Sequence, residues 1–167
     1  MKKNNVILIG MPGSGKTTIG TELSEVIGYG YIDSDSVIVA REGKRLNEII
    51  EEVGRDAFLD IEAKINSELC ADRCVIATGG SVIYRDHAMR KLQELGTIVY
   101  LKLPYEVIAS RLGDLKKRGV ALKDGFTLKD LYEERAPLYE KYADVTVELF
   151  GASIADSVQE VVRAIRK

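Results

Sequence analysis

Apolar positions along this chain follow two rhythms. Short, largely apolar runs at residues 6–9, 74–77, 97–103 and 145–149 have the length and β-branched content of strands, and Tyr31-Ile32-Asp33 is a shorter one. Between them the spacing turns helical. Residues 17–27 place Ile19, Leu23, Val26 and Ile27 on one face, and residues 56–69 do the same with Phe58, Leu59, Ile61, Ile65 and Leu69. Further helices are predicted over 36–41, 46–53, 86–95, 105–112, 127–142 and 153–165. Gly43 separates the first and second of these, and Pro137 is expected to break or kink the helix that contains it. Residues 114–125 are polar, hinged by Gly113, Gly119 and Gly125, and read as a mobile loop.

Strands that alternate with helices predict an α/β three-layer domain around a five-stranded, mostly parallel sheet. Right-handed crossovers then put helices on both faces. The length of 167 residues suits one domain, and no repeat, linker or low-complexity tract divides it, so residues 1–167 are read as a single unit. Hydrophobic content of 46% and charge of 30% are ordinary for a globular chain. A net charge of −2 offers no electrostatic case for nucleic acid or membrane. The basic start Met1-Lys2-Lys3 precedes too short an apolar run for a signal peptide, so a cytoplasmic location is expected. Cys70 and Cys74 lack further ligands of their kind, and the single histidine, His87, reads as a surface residue. No long apolar stripe is left over once the core is assigned, which predicts a monomer.

The chemistry concentrates in "GMPGSGKTTIG", directly after the first strand. Gly10 to Thr17 fit G-x-x-x-x-G-K-[ST] between a strand and a helix, the context that pattern requires. Gly13, Ser14 and Gly15 let successive backbone N–H groups converge on phosphate oxygens, and the helix beginning near Lys16 adds its positive end. Lys16 reaches the β- and γ-phosphates, the Thr17 hydroxyl ligates Mg²⁺, and Thr18 is placed for the α-phosphate. Asp33 and Asp35 close the second strand. In a parallel sheet the strand C-termini line the ligand crevice, and alternation is expected to turn both carboxylates into it. One suits a metal role and the other an acceptor hydroxyl. Arg135 lies on the apolar stripe Leu128, Leu131, Tyr132, Leu138 and Tyr139, where a charge needs a partner. Arg118 stands in the basic, glycine-hinged loop, the composition needed for closure over a triphosphate.

The chain resembles the shikimate kinase family of small P-loop kinases. The likeness runs through the P-loop, "DSD" at 33–35, "GRDAFLDIEAKI" at 54–65, "VIATGG" at 75–80, "VYL" at 99–101, the loop with Arg118, and "ERAPLYEKYAD" at 134–144. It implies a P-loop kinase fold with sheet order 2-3-1-4-5, acceptor-binding helices at about 34–62 and a lid at about 113–125. It also implies ATP with Mg²⁺ and phosphoryl transfer to the 3-hydroxyl of shikimate. By the same resemblance Asp33 belongs to the metal environment and Asp35 binds acceptor hydroxyls. Gly79 and Gly80 admit the acceptor to the backbone, and Arg135 holds its carboxylate. Arg118 comes down on the phosphates, and Arg111 lies near the adenine.

Three positions depart from the family pattern. Leu59 stands where the family's "FR" has an arginine that clamps the acceptor carboxylate, Ser81 replaces the third glycine of "GGG", and Arg118-Gly119-Val120-Ala121 replaces "RPLL". All three fall on the acceptor or lid side. If shikimate is the acceptor, Arg55, one turn before Leu59 on the same face, is the candidate to compensate. The reading is an ATP-dependent small-molecule kinase with catalytic Lys16, Asp35 and Arg118. The alternatives are a related kinase for a sugar acid or polyol, a P-loop binding protein without transfer activity, and a GTPase switch, for which the chain lacks an N-K-x-D guanine signature.

Overall fold

The structure is a computed structural model and describes residues 3–112 and 119–167. Five parallel strands stand in the order β2-β3-β1-β4-β5. They are β1 (Asn5–Ile9), β2 (Gly30–Asp33), β3 (Cys74–Ala77), β4 (Gly96–Lys102) and β5 (Val145–Glu148). Ile7, Leu8 and Ile9 are fully enclosed, because β1 is the central strand and pairs with β3 on one side and β4 on the other. Each such side chain contributes about 1.5–3 kcal/mol by burial.

Helix α1 (Lys16–Ile27) packs on β2 and β3 and against the C-terminal helix α8 (Ile154–Ile165). Helices α5 (Asp86–Leu95) and α7 (Leu128–Tyr142) pack against β4, and α6 (Tyr105–Arg111) leans on α7. A second apolar cluster stands apart from the main core. Ile38 of α2 (Ser34–Glu42), Ile49 of α3 (Leu46–Val53), and Phe58, Leu59 and Ile65 of α4 (Arg55–Ser67) enclose Ala121. These three helices therefore form a small subassembly beside the C-terminal edge of the sheet.

Three expectations change. Helix α2 begins at Ser34, two residues earlier than predicted, because the Asp33 side chain accepts from the backbone N–H groups of Asp35 and Ser36 and caps it. Helix α7 runs through Pro137 without breaking; its start is secured by a reciprocal capping box between Thr127 and Asp130. The polar 114–125 loop is not uniformly solvated. Val120 and Ala121 are buried, 9% and 2% exposed, while residues 113–118 lie outside the described part. Among the described residues no helix is long and apolar enough to cross a membrane.

Candidate active site

The loops leaving β1, β2 and β3 meet at the C-terminal edge of the sheet around a cavity of about 260 Å³. One wall is the P-loop. Gly13 and Gly15 have φ of 81° and 92°, the left-handed region that favours glycine. Gly15 caps α1 with no side-chain hydrogen bond, so the first turn presents its N–H groups uncapped by any side chain. Thr17 and Thr18 are exposed on that turn and line the cavity. Lys16 is buried, and its Nζ donates to Gly10 O at 2.7 Å, Met11 O at 2.8 Å and the Ser14 hydroxyl at 3.4 Å. Burial lowers its pKa to about 8, with Asp35 and Asp33 opposing the shift and Arg135 adding to it. Arg111, from the last turn of α6, donates to Gly13 O at 3.1 Å, so it too is brought onto the P-loop.

Asp33 and Asp35 both line the cavity, but not by strand alternation. Asp33 ends β2, and Asp35 lies in the first turn of α2, which carries it over the sheet edge. Asp33 uses Oδ1 for both capping bonds. Asp35 Oδ1 is shielded from solvent without a hydrogen-bond partner among the described residues. Burial first, and then the Asp33 charge, push the Asp35 carboxyl up to about 6 against the pull of Lys16.

Arg135 closes the far side. It is 1% exposed, yet no carboxylate among the described residues forms an ion pair with it. Its Nε donates to the Tyr84 hydroxyl at 3.3 Å, its Nη2 donates to Ala121 O at 3.1 Å, and its guanidinium lies 5.3 Å from the Tyr84 ring centre. A buried cation held only by neutral groups is costly unless an anion completes it.

The two glycines after β3 are required by what presses on them. A β-carbon on Gly79 would lie 2.6 Å from Asp35 Oδ1 and 2.8 Å from Glu62 Oε2. One on Gly80 would lie 2.7 Å from Arg135 Nη1 and 2.9 Å from Pro12 Cδ. Tyr139 fixes this turn by donating its hydroxyl to Gly80 O at 2.7 Å.

The scaffold and the comparisons agree. The family model described as shikimate kinase matches residues 12–166. The chain belongs to the shikimate kinase family. A shikimate kinase from Persephonella marina is 34% identical over 163 residues, covering 97% of this chain and 99% of that protein. One from Clostridium botulinum (strain Loch Maree) is 36% identical over 169 residues, covering 98% and 96%. The solved shikimate kinase from Acinetobacter baumannii in complex with shikimate superposes with a TM-score of 0.83 at 29% identity, covering 97% of this chain and 92% of that one. The sheet order 2-3-1-4-5 is the one the family resemblance implies.

Within that family frame, the structure brings Lys16, Thr17, Thr18, Asp33, Asp35, Gly79, Gly80 and Arg135 to one cavity. Arg118 lies outside the described residues. Leu59 turns into the second apolar cluster, 1% exposed, and presents nothing to a ligand. Arg55 is not in solvent: its guanidinium lies 4.9 Å from the centre of the same Tyr84 ring that carries Arg135. It lines a neighbouring cavity with Asn47, Glu51 and Lys123, however, and Val120 stands between the two spaces. Sequence reasoning missed Glu62 and the apolar floor of Leu46 and Phe58, which line the cavity, and Tyr84, which holds Arg135. Glu62 had a signal, since it falls four residues after Phe58 and three after Leu59, on the helix face those two residues make apolar.

Proposed function

We propose that this chain is an ATP- and Mg²⁺-dependent shikimate kinase that transfers the γ-phosphoryl group to the 3-hydroxyl of shikimate. The observation that carries this is Arg135, a buried arginine without a carboxylate partner among the described residues, facing the P-loop and Asp35 within one cavity. A hydroxylated carboxylic acid supplies both the missing anion and the hydroxyl that Asp35 orients. Shikimate is the acid that the relatives' names and the ligand of the Acinetobacter baumannii structure support.

The P-loop N–H groups, the α1 N-terminus and Lys16 bind the triphosphate. Mg²⁺, when bound, neutralises charge on the β- and γ-oxygens. The Thr17 hydroxyl, exposed on the cavity wall, and Asp33, through water, are the groups fitted to hold it. Asp35 positions the attacking hydroxyl and takes its proton late, because the transition state is loose. Its unpartnered Oδ1 is the atom available for that. Lys16 stabilises charge on the moving phosphoryl group. From the resemblance alone, Arg118 joins it.

A second reading has one observation in its favour. Leu59 is sealed in the apolar cluster, so Arg135 is the only arginine lining this cavity among the described residues. A polyol carries no carboxylate to clamp, and a sugar acid would be held through Arg135 alone. Phosphate-product analysis by ³¹P NMR with shikimate, gluconate and polyols in parallel separates the two readings.

A further inference from the structure

Glu62 is the most deeply buried carboxylate of the cavity wall. It is 2% exposed, it lines the cavity, and it comes from α4, whose other buried residues are Phe58, Leu59, Ala63, Ile65 and Asn66, the last donating its side-chain amide to the Glu62 backbone carbonyl and not to its carboxylate. A buried carboxylate needs donors. The residue one turn before it, Leu59, has none to give. Arg85 makes its ion pair with Asp60 at 2.8 Å, and Arg135 is bonded to Tyr84 and Ala121. The donor is Ser81, whose hydroxyl lies 2.7 Å from Glu62 Oε1 and 2.9 Å from Oε2.

Position 81 does not need glycine. Its backbone has φ −92° and ψ 0°, open to any L-residue, and it leads into the 3₁₀ turn Val82–Tyr84. Gly79, two residues earlier, does need it, because Asp35 Oδ1 and Glu62 Oε2 converge on the space where its β-carbon would be. The two carboxyls thus meet over one glycine, and Ser81, which also lines the cavity, bonds the deeper of the two.

We propose that Ser81 is a positioning residue, which holds the Glu62 carboxylate against the acceptor cavity so that Glu62 and Asp35 together face the acceptor's hydroxyl groups. This rests on the acceptor reading above only for the identity of the acceptor. The geometry of Ser81, Glu62 and Asp35 is independent of it. A pair of converging carboxyls suits an acceptor with more than one hydroxyl near the reacting one, each donating to a separate oxygen. The groups that face Glu62 from the surrounding elements are Ser81, Asp35, Arg135 and Arg85. Of these only Ser81 bonds to it directly.

The test compares Ser81→Ala and Ser81→Thr in the full chain, with two readouts. The first needs no acceptor. It is the titration of the Glu62 carboxyl by ¹³C NMR, assigned with Glu62→Gln. Loss of a donor to the anion raises its midpoint in Ser81→Ala by about one pH unit, and Ser81→Thr, which keeps the hydroxyl, stays near wild type. The second is steady-state kinetics with shikimate: Ser81→Ala raises the acceptor KM about tenfold, with kcat within about threefold and the ATP KM unchanged, and Ser81→Thr recovers most of the loss. An unchanged Glu62 midpoint in Ser81→Ala, or a Ser81→Thr variant as impaired as Ser81→Ala, overturns the proposal. If wild type does not respond to shikimate at all, the acceptor reading fails, and the NMR titration alone decides the role of Ser81.

Discussion

Arg135 Nη1 lies 2.7 Å from the point that a β-carbon on Gly80 would occupy. Arginine and glycine are therefore one device: the guanidinium is stacked on Tyr84, tied to Ala121, and pressed flat against a backbone that has no side chain. Gly80→Ala must move either Arg135 or Pro12 of the P-loop, and neither is free to go. Acceptor kcat/KM is expected to fall at least about tenfold, while circular dichroism stays that of wild type.

Arg135 itself is the sharper probe. Arg135→Lys keeps the charge but loses the planar fork, so it is expected to behave like Arg135→Ala and not like wild type. Both variants lower acceptor kcat/KM by about 10²–10³-fold, in line with loss of a charge-assisted buried contact. Equilibrium ATP binding is expected to change far less than acceptor kcat/KM in both, because the hydrogen bonds of Arg135 go to Tyr84 and Ala121 and not to the P-loop. Calorimetric titration with nucleotide checks that half of the statement.

Arg55 shares the Tyr84 ring with Arg135 but opens into a different cavity. Arg55→Ala is expected to raise the acceptor KM by only about two- to threefold, through a less firmly held Tyr84. A tenfold effect in the same kinetic assay would instead make Arg55 the replacement for the missing cation at position 59.

On the nucleotide side, Lys16→Met removes a buried ammonium at the P-loop, and turnover is expected to drop by about 10³-fold or more. Retained turnover in a coupled ADP assay contradicts the phosphate-site account.

Glu62 makes stability depend on pH. Burial raises its carboxyl from the ordinary 4.5 to about 7, helped by Asp35 and opposed by Ser81, Arg135 and Arg85. The folded state then binds more protons than the unfolded state between those two values. Glu62's contribution is fully present below about pH 4.5 and is lost as pH rises through about 7; the loss is of order 3 kcal/mol. Asp35 is raised as well, to about 6, so it slopes the same way over a lower window. Glu62→Gln removes the Glu62 part: urea melts at pH 5 and pH 8 should show a smaller fall in stability for the variant than for wild type.

The fold was legible in the sequence because its signals are local. A strand, a glycine-rich turn and a helix in order specify the P-loop, and the inner strands β1 and β3 announce themselves as short unbroken apolar runs. The acceptor side was legible only in part. Asp35, Gly79, Gly80 and Arg135 could be named, but the reason for the glycines could not: it is a tertiary contact with side chains 44 and 55 residues away in the cases of Asp35 with Gly79 and Arg135 with Gly80. Asp33 as a helix cap changed how Asp35 reaches the cavity, because a side-chain cap competes with strand extension over a single residue. Ser81 was visible only as a departure. Its meaning depends on Glu62, which approaches from another helix and shows on the sequence as one acid on the face that Phe58 and Leu59 make apolar.

The central claim is that a hydroxylated carboxylic acid completes the site around Arg135 and Asp35. The most direct measurement is ADP formation by the purified protein with ATP and Mg²⁺, with shikimate varied to saturation, in wild type and Arg135→Ala. The account predicts saturable stimulation by shikimate in wild type and its loss in the variant. No stimulation of wild type, with nucleotide binding intact, or equal stimulation by a polyol without a carboxylate, would contradict it.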